Sequence, residues 1–231
     1  MTTQQQPAEL KKDLSTKTTT IQMIETLLKD PGTWFEQITK GQTGGSLWIF
    51  AFIFLVCNLG YSLIVGSFSG NSQWLAAPLK IILGTIVSAL LCYPSLFIFA
   101  CLAGANIDPK KTIALLTSSM TLTAILLIGF APVAFVFTFG INSLFFMGMI
   151  HFLAWGISIY FGLRHIHNGL SKMSCQNIKL IKVWGLIVVI TMLQMSTTLR
   201  PIIGESDHFL TDEKRFFVEH WLDNVSDNSR N

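Results

Sequence analysis

Five stretches of the chain, 46–68, 79–103, 112–138, 141–163 and 180–203, are nearly free of charge and dominated by Leu, Ile, Val, Phe and Ala. A helix needs about twenty such residues to cross the hydrocarbon core of a bilayer. In that medium an unpaired backbone amide is too costly to leave exposed, so only helices and closed barrels span it. No segment alternates apolar and polar residues over the length of a barrel strand, which leaves helices. The expected fold class is therefore all-α: an integral membrane bundle of five transmembrane helices joined by short connections, with amphipathic interfacial helices at both ends.

The composition agrees. Of 231 residues 51% are hydrophobic and only 13% charged, a balance far from that of a soluble domain of this length. Eighteen Phe and six Trp fit a lipid-facing surface with aromatic belts. The net charge of +3 comes without any dense basic stripe interleaved with stacking aromatics, so nucleic acid is not an expected partner. The four cysteines, Cys57, Cys92, Cys101 and Cys175, show no metal-ligand or disulfide spacing, and no metal or cofactor is expected.

Residues 1–45 form a polar N-terminal segment whose first twenty residues lack an apolar signal-peptide core, so it is expected to remain on the synthesis side of the membrane. Residues 46–203 carry the spans, and 204–231 form an acidic tail with seven Asp and Glu residues. In the connection "GANIDPKKT", Asp108 is an N-cap and Pro109 suits the first helical position, so the third helix should start near Pro109. Between the third and fourth spans "FTFGIN" offers only Gly140 and Asn142, which predicts a tight hairpin.

Lys110, Lys111, Arg164, Lys172, Lys179 and Lys182 flank the second and fourth connections, whereas the first and third offer only Lys80. The positive-inside rule then places the N-terminus and the even connections in the cytoplasm, and five spans put the C-terminus outside. Ahead of the first span, Ile21, Ile24 and Leu28 recur at helical spacing, followed by Trp34, Phe35 and Ile38 after a break at Asp30 and Pro31. This is a broken amphipathic helix, either resting on the cytoplasmic leaflet or packed on the bundle's own loops or a partner. In the tail Phe217 and Trp221, with Leu210, Val218 and Leu222 nearby, suggest a shorter interfacial helix.

Polar groups inside a bilayer are costly and mark places where function can sit. Lys80 at the start of the second span and Arg200 at the end of the fifth share the outer interface in this topology. With Gln194, Thr197 and Thr198 below Arg200, they form a candidate contact for an anion or a lipid headgroup. Alternatively the two cations snorkel to headgroups and the hydroxyls bond to their own helix. Asn58 and His151 are mid-membrane polar residues suited to interhelical hydrogen bonds or, for His151, a proton relay, although no Asp or Glu lies in any span. Pro94, Pro132 and recurrent glycines (Gly60, Gly66, Gly84, Gly129, Gly148 and Gly156) are read as kinks and close-packing points, or as the broken helices of a transporter. "RHIHNGLSKMSCQNIK" is a basic cytoplasmic loop without zinc or nucleophile spacing, and no Walker loop, nucleophile elbow, HExxH or paired carboxylates occur.

The layout, with "LLKDPGTWFEQI" ahead of five close spans, resembles the Yip1-like superfamily of five-span membrane proteins. "LAAPLKIILG", "CYPSLFIFACLAG", "TTLRPIIG" and "EKRFFVEHW" are similar to a group of bacterial membrane proteins, some carrying an actin-binding label. The likeness runs from Leu27 to Trp221 and carries no functional residue across. The acidic, aromatic YGP-type motif ahead of the first span in eukaryotic members is missing, so the resemblance implies no vesicle-trafficking role, and 21–38 reads as membrane-bound rather than actin-binding. These features together point to a non-enzymatic scaffold or accessory subunit of a bacterial inner membrane, bound to lipid and to a membrane protein partner or a further copy of itself. The alternative is a small, oligomeric transporter or channel with an outward-facing polar mouth.

Overall fold

A computed structural model describes residues 20–69, 73–140 and 144–198, with side-chain surroundings over 20–66, 78–137 and 146–194. The acidic tail, its amphipathic segment and Arg200 lie outside the described residues. Seven helices account for the described chain, and no strand occurs among these residues: α1 (20–29), α2 (Pro31–Thr39), α3 (Gly44–Ser69), α4 (Gln73–Leu102), α5 (Pro109–Gly140), α6 (Leu144–Lys172) and α7 (Ile178–Thr198).

α3 packs along both α4 and α5, α5 along α6, and α4 along α7; a thin α6–α7 contact closes the five long helices into a ring. Four of them, α3 to α6, are long and apolar enough to cross a membrane. Only 28% to 44% of each apolar stretch is buried inside the protein, so most of its aliphatic and aromatic surface faces outward. Trp48, Leu90, Val136 and Leu186 stand 60% or more exposed, while Asn58, Ser118, His151 and His165 are buried. Large continuous apolar surface outside and polar side chains inside reverse the pattern of a water-soluble domain. The bundle is an integral membrane protein.

Helix punctuation follows the sequence closely at α5. The Lys111 backbone N–H donates to Asp108 Oδ1 at 2.7 Å and the Thr112 hydroxyl to the Asp108 carbonyl at 2.9 Å, with Pro109 as the first helical residue. α5 runs to Gly140 and α6 begins at Leu144; the hairpin residues between them lie outside the described residues.

The structure sharpens three expectations, and the first of them is a correction. First, the fourth apolar run ends at Leu163 but its helix continues to Lys172, so His165 and His167 sit on helical turns rather than in a loop. Second, α4 begins at Gln73, about two turns ahead of Lys80, while its apolar stretch begins at Pro78, so Lys80 does sit at the start of the second span. Third, the N-terminal helices bury their apolar face on the protein. Leu27, Trp34, Phe35 and Ile38 are at most 3% exposed and belong to the main core, with Met23 and Ile24 packed beside them. Ile21 and Leu28, grouped with Ile24 by spacing alone, instead point outward. Of the two placements for this segment, packing on the bundle is the one adopted, against α5 and α6.

Two connections, 103–108 and 173–177, are clasped together at one end of the bundle. The backbone N–H groups of Gln176 and Asn177 donate to the Ala103 carbonyl at 2.8 and 3.0 Å, and that of Asn106 to the Met173 carbonyl at 2.8 Å. Gly104, at φ +78°, makes the left-handed turn that closes α4 and lets the chain reach this clasp. The clasp gathers the flanking cations of both connections, together with α2, at a single basic end.

Candidate functional site

The polar interior is built on the faces where α3, α5 and α6 meet. The run "TSSMTLT", 117–123, loads mid-α5 with hydroxyls, and these reach across to carbonyls of neighbouring helices. Ser119 donates to the Gly162 carbonyl at 2.8 Å and Thr121 to the Phe50 carbonyl at 2.9 Å. On α6, Ser158, Gly162, His165 and Gly169 recur at three- and four-residue intervals along the facing stripe. At Gly162 an added Cβ would collide with Thr123 Oγ1, and at Gly169 it would stand 2.5 Å from Leu115 Cδ1 and 3.0 Å from Phe35 Cε1. These two glycines let the α5 and α6 backbones approach closely enough for hydroxyls to find partners on the other helix. By contrast Gly129, Gly148 and Gly156 have open space where a side chain would stand, and so are not close-packing points.

His165 lies near the basic end. Its Nε2 is 3.0 Å from Ser118 Oγ, and its ring is 4.7 Å from that of Phe35 on α2. Ser118 also donates to the Leu115 carbonyl at 3.0 Å. A serine has one proton to give, so with that proton on the carbonyl the His165 Nε2–H is the donor in the pair. Whichever group donates, the contact ties α5 to α6.

His151 occupies the far end of α6, and its Nδ1 is 2.7 Å from the Tyr61 hydroxyl of α3. Tyr61 is fully buried and His151 is 6% exposed. If the hydroxyl donates to Nδ1, one group stays unsatisfied, the Nε2–H; the opposite assignment would orphan the hydroxyl proton and Nε2 together. His151 Nε2 has no partner, nor do Trp34 Nε1 and His167 Nε2. Asn58 donates to the Phe54 carbonyl of its own helix at 3.1 Å rather than across an interface. Between α4 and α7, Trp184 Nε1 donates to Ser95 Oγ at 3.0 Å.

Of the residues expected at an outward mouth, Lys80 is 1% exposed and Gln194 half-buried on α7. Thr197 and Thr198 end the described part of α7, their side-chain surroundings and Arg200 falling outside the described residues. The structure thus covers the Lys80 side chain near the start of the second span, and its pairing with Arg200 lies outside what is described. The spacing of Ser158 and Gly162, a small residue four positions from another, was the available signal for the α5–α6 seam. Among the described residues no three His, Cys, Asp or Glu side chains converge as a metal site would require. No known protein family, curated protein or solved structure matches the chain.

Proposed function

We propose that this chain is a non-enzymatic integral membrane scaffold or accessory subunit that organises lipid and a membrane protein partner or further copies of itself. The observation that carries the proposal is how the interior polar groups are used. Ser119, Thr121, Tyr61 and Trp184 all engage neighbouring helices, so they tie the bundle together instead of lining a path through it. The wide apolar exterior then offers its surface to other membrane components.

In this reading α7 is a fifth span. Its 21 helical residues reach about 31 Å at 1.5 Å per residue, close to the hydrocarbon thickness. The basic end faces the cytoplasm of a bacterial inner membrane and the tail lies outside, the layout of Yip1-like proteins. Purification of the native protein in mild detergent, with mass spectrometry of what accompanies it, tests the proposal. A stoichiometric membrane protein or a defined homo-oligomer is expected; a lone monomer that carries solute into vesicles would overturn it.

A transporter is the second reading, favoured by Lys80 buried two turns inside α4 and by the bare Nε2 of His151 toward the same end of the bundle. Lys80, Gln194, Thr197, Thr198 and Arg200 would then form its anion- or headgroup-binding mouth. Reconstituted vesicles that accumulate an anion, and lose that flux with K80Q while folded yield holds, would establish it.

A further inference from the structure

We propose that the groove between α6 and α7 at the basic end is a binding site for an anionic phospholipid, with its phosphate held by Arg164, Lys179 and Lys182. The site rests on the reading that α7 lies in the membrane.

The α6–α7 contact is the thinnest in the ring, and Gly185 helps to make it a groove. A Cβ added at Gly185 would stand 3.7 Å from Leu163 Cδ1, which fixes the register: Leu163 of α6 faces Gly185 of α7. Helical residues three and four apart share a face. Ile157, Tyr160 and Arg164 therefore form one stripe on α6 beside Leu163, and Lys179, Lys182 and Leu186 one stripe on α7 beside Gly185. Because the helices are antiparallel, their senses of rotation mirror each other, and both stripes flank the same outer side of the contact. All six residues are exposed. From Gly185 toward the clasped connections the groove is cationic, and away from them it is apolar.

Among the described residues the cations have no ion-pair partner. Neither α6 nor α7 contains an Asp or Glu. Among the described residues the ion pairs are Lys29–Glu25 and Lys40–Glu36, both within the N-terminal helices, and neither involves Arg164, Lys179 or Lys182. Three exposed cations above an aliphatic and aromatic trough complement a phosphate headgroup above acyl chains, and basic pockets between spanning helices on the cytoplasmic side are suited to such headgroups. A zwitterionic lipid carries no net charge for them to neutralise.

The test is native mass spectrometry of the full-length protein, titrated with phosphatidylglycerol and with phosphatidylcholine of the same acyl chains. The wild type should retain phosphatidylglycerol preferentially. R164Q/K182Q should lose that preference by about tenfold or more, at roughly a factor of five per cation, whereas K110Q/K111Q, which removes two cations from the same end but outside the groove, should keep it. On the unchanged protein, rising salt should weaken the preference, giving the same test without a substitution. Equal retention of the two lipids, unchanged binding by R164Q/K182Q, or a salt-insensitive preference would overturn the site. A dimer that dissociates in R164Q/K182Q without bound lipid would put a second copy in the groove and overturn it too. Failure of the membrane reading would show separately, as protein that leaves the membrane fraction without detergent.

Discussion

At Gly162 one absent methyl group sets how closely α5 and α6 can approach. Gly162→Ala would push its Cβ into Thr123 Oγ1 and break the Ser119 bond to the Gly162 carbonyl, at an expected cost of about 1–3 kcal/mol. Gly156→Ala, on the same helix with open space around it, should be neutral or stabilising by up to about 1 kcal/mol from helix propensity. Thermal unfolding of both variants in one detergent makes the comparison, and equal effects would refute the close approach. Tyr61→Phe removes the hydroxyl on His151 Nδ1 and should cost about 0.6–1.7 kcal/mol, the range for side-chain hydrogen bonds inside membranes. Cys175 offers a pH readout outside the spans. Burial pushes its thiol pKa up, with the Asn177 backbone N–H pulling it partly back, so less thiolate exists at a given pH than in the unfolded chain. Alkylation of folded protein should therefore set in at higher pH than alkylation of the same thiol in denatured protein. At this scale the sequence was only partly legible. His151 was singled out and does make an interhelical bond, but Asn58 bonds within its own helix. Gly60 was singled out and does pack closely, an added Cβ standing 3.0 Å from Ile128 Cδ1, but Gly162 and Gly169 were passed over because spacing on one helix does not reveal what stands opposite, here Thr123 for Gly162 and Leu115 with Phe35 for Gly169.

The N-terminal helices show how far an amphipathic pattern determines placement. The pattern of α2 requires Trp34, Phe35 and Ile38 to be covered, but lipid, a partner or the chain's own helices would all satisfy it. What decides is the shape of the acceptor: Gly169 leaves room for the Phe35 ring, and Trp34 meets Phe50 edge-on with centroids 4.7 Å apart. Phe35→Ala should therefore release α1 and α2 while the long helices persist, and the cleft left behind is expected to cost about 3–5 kcal/mol of docking. Limited trypsin digestion should then cut faster at Lys29 and Lys40, with the chain from Gly44 onward protected as before. An unchanged digestion rate would mean that the pair is not held through Phe35. Element boundaries were legible where a local device sets them, as with Asp108 and Pro109. They were not legible at the end of α6, because the helix outlasts its apolar run: in "RHIHNGLSK" the buried stripe continues through His165, Ile166, Gly169 and Leu170 while the intervening residues turn polar.

For the whole molecule the ring order reads α3, α4, α7, α6, α5, and the clasp between 103–108 and 173–177 fixes which ends lie together. The charge pattern alone had grouped the cations of those two connections on one side of a membrane, and the backbone bonds from Asn106, Gln176 and Asn177 bring the same connections into contact. This grouping was legible because it rests on where charged residues interrupt apolar runs, a property of the chain rather than of its packing. The number of crossings is a separate matter. Four helices qualify by length and composition, and a chain with four crossings returns its C-terminus to the side of its N-terminus. α7 rises from the clasp with Lys179 and Lys182 exposed near its start, and its buried residues, Ile181, Trp184 and Val188, pack within the same core as α4. If α7 is a fifth span, as proposed, a helix that leaves the basic end along α4 and packs with it in one core emerges on the far side of the bilayer. Single cysteines introduced after Gly204 should therefore react with a membrane-impermeant maleimide added outside intact cells. Cysteines between 169 and 179 should react only after permeabilisation, and more slowly where the clasp covers them. Labelling of both sets from one side would leave α7 short of a crossing and reduce the bundle to four spans; the exchanged pattern would keep five and invert the orientation.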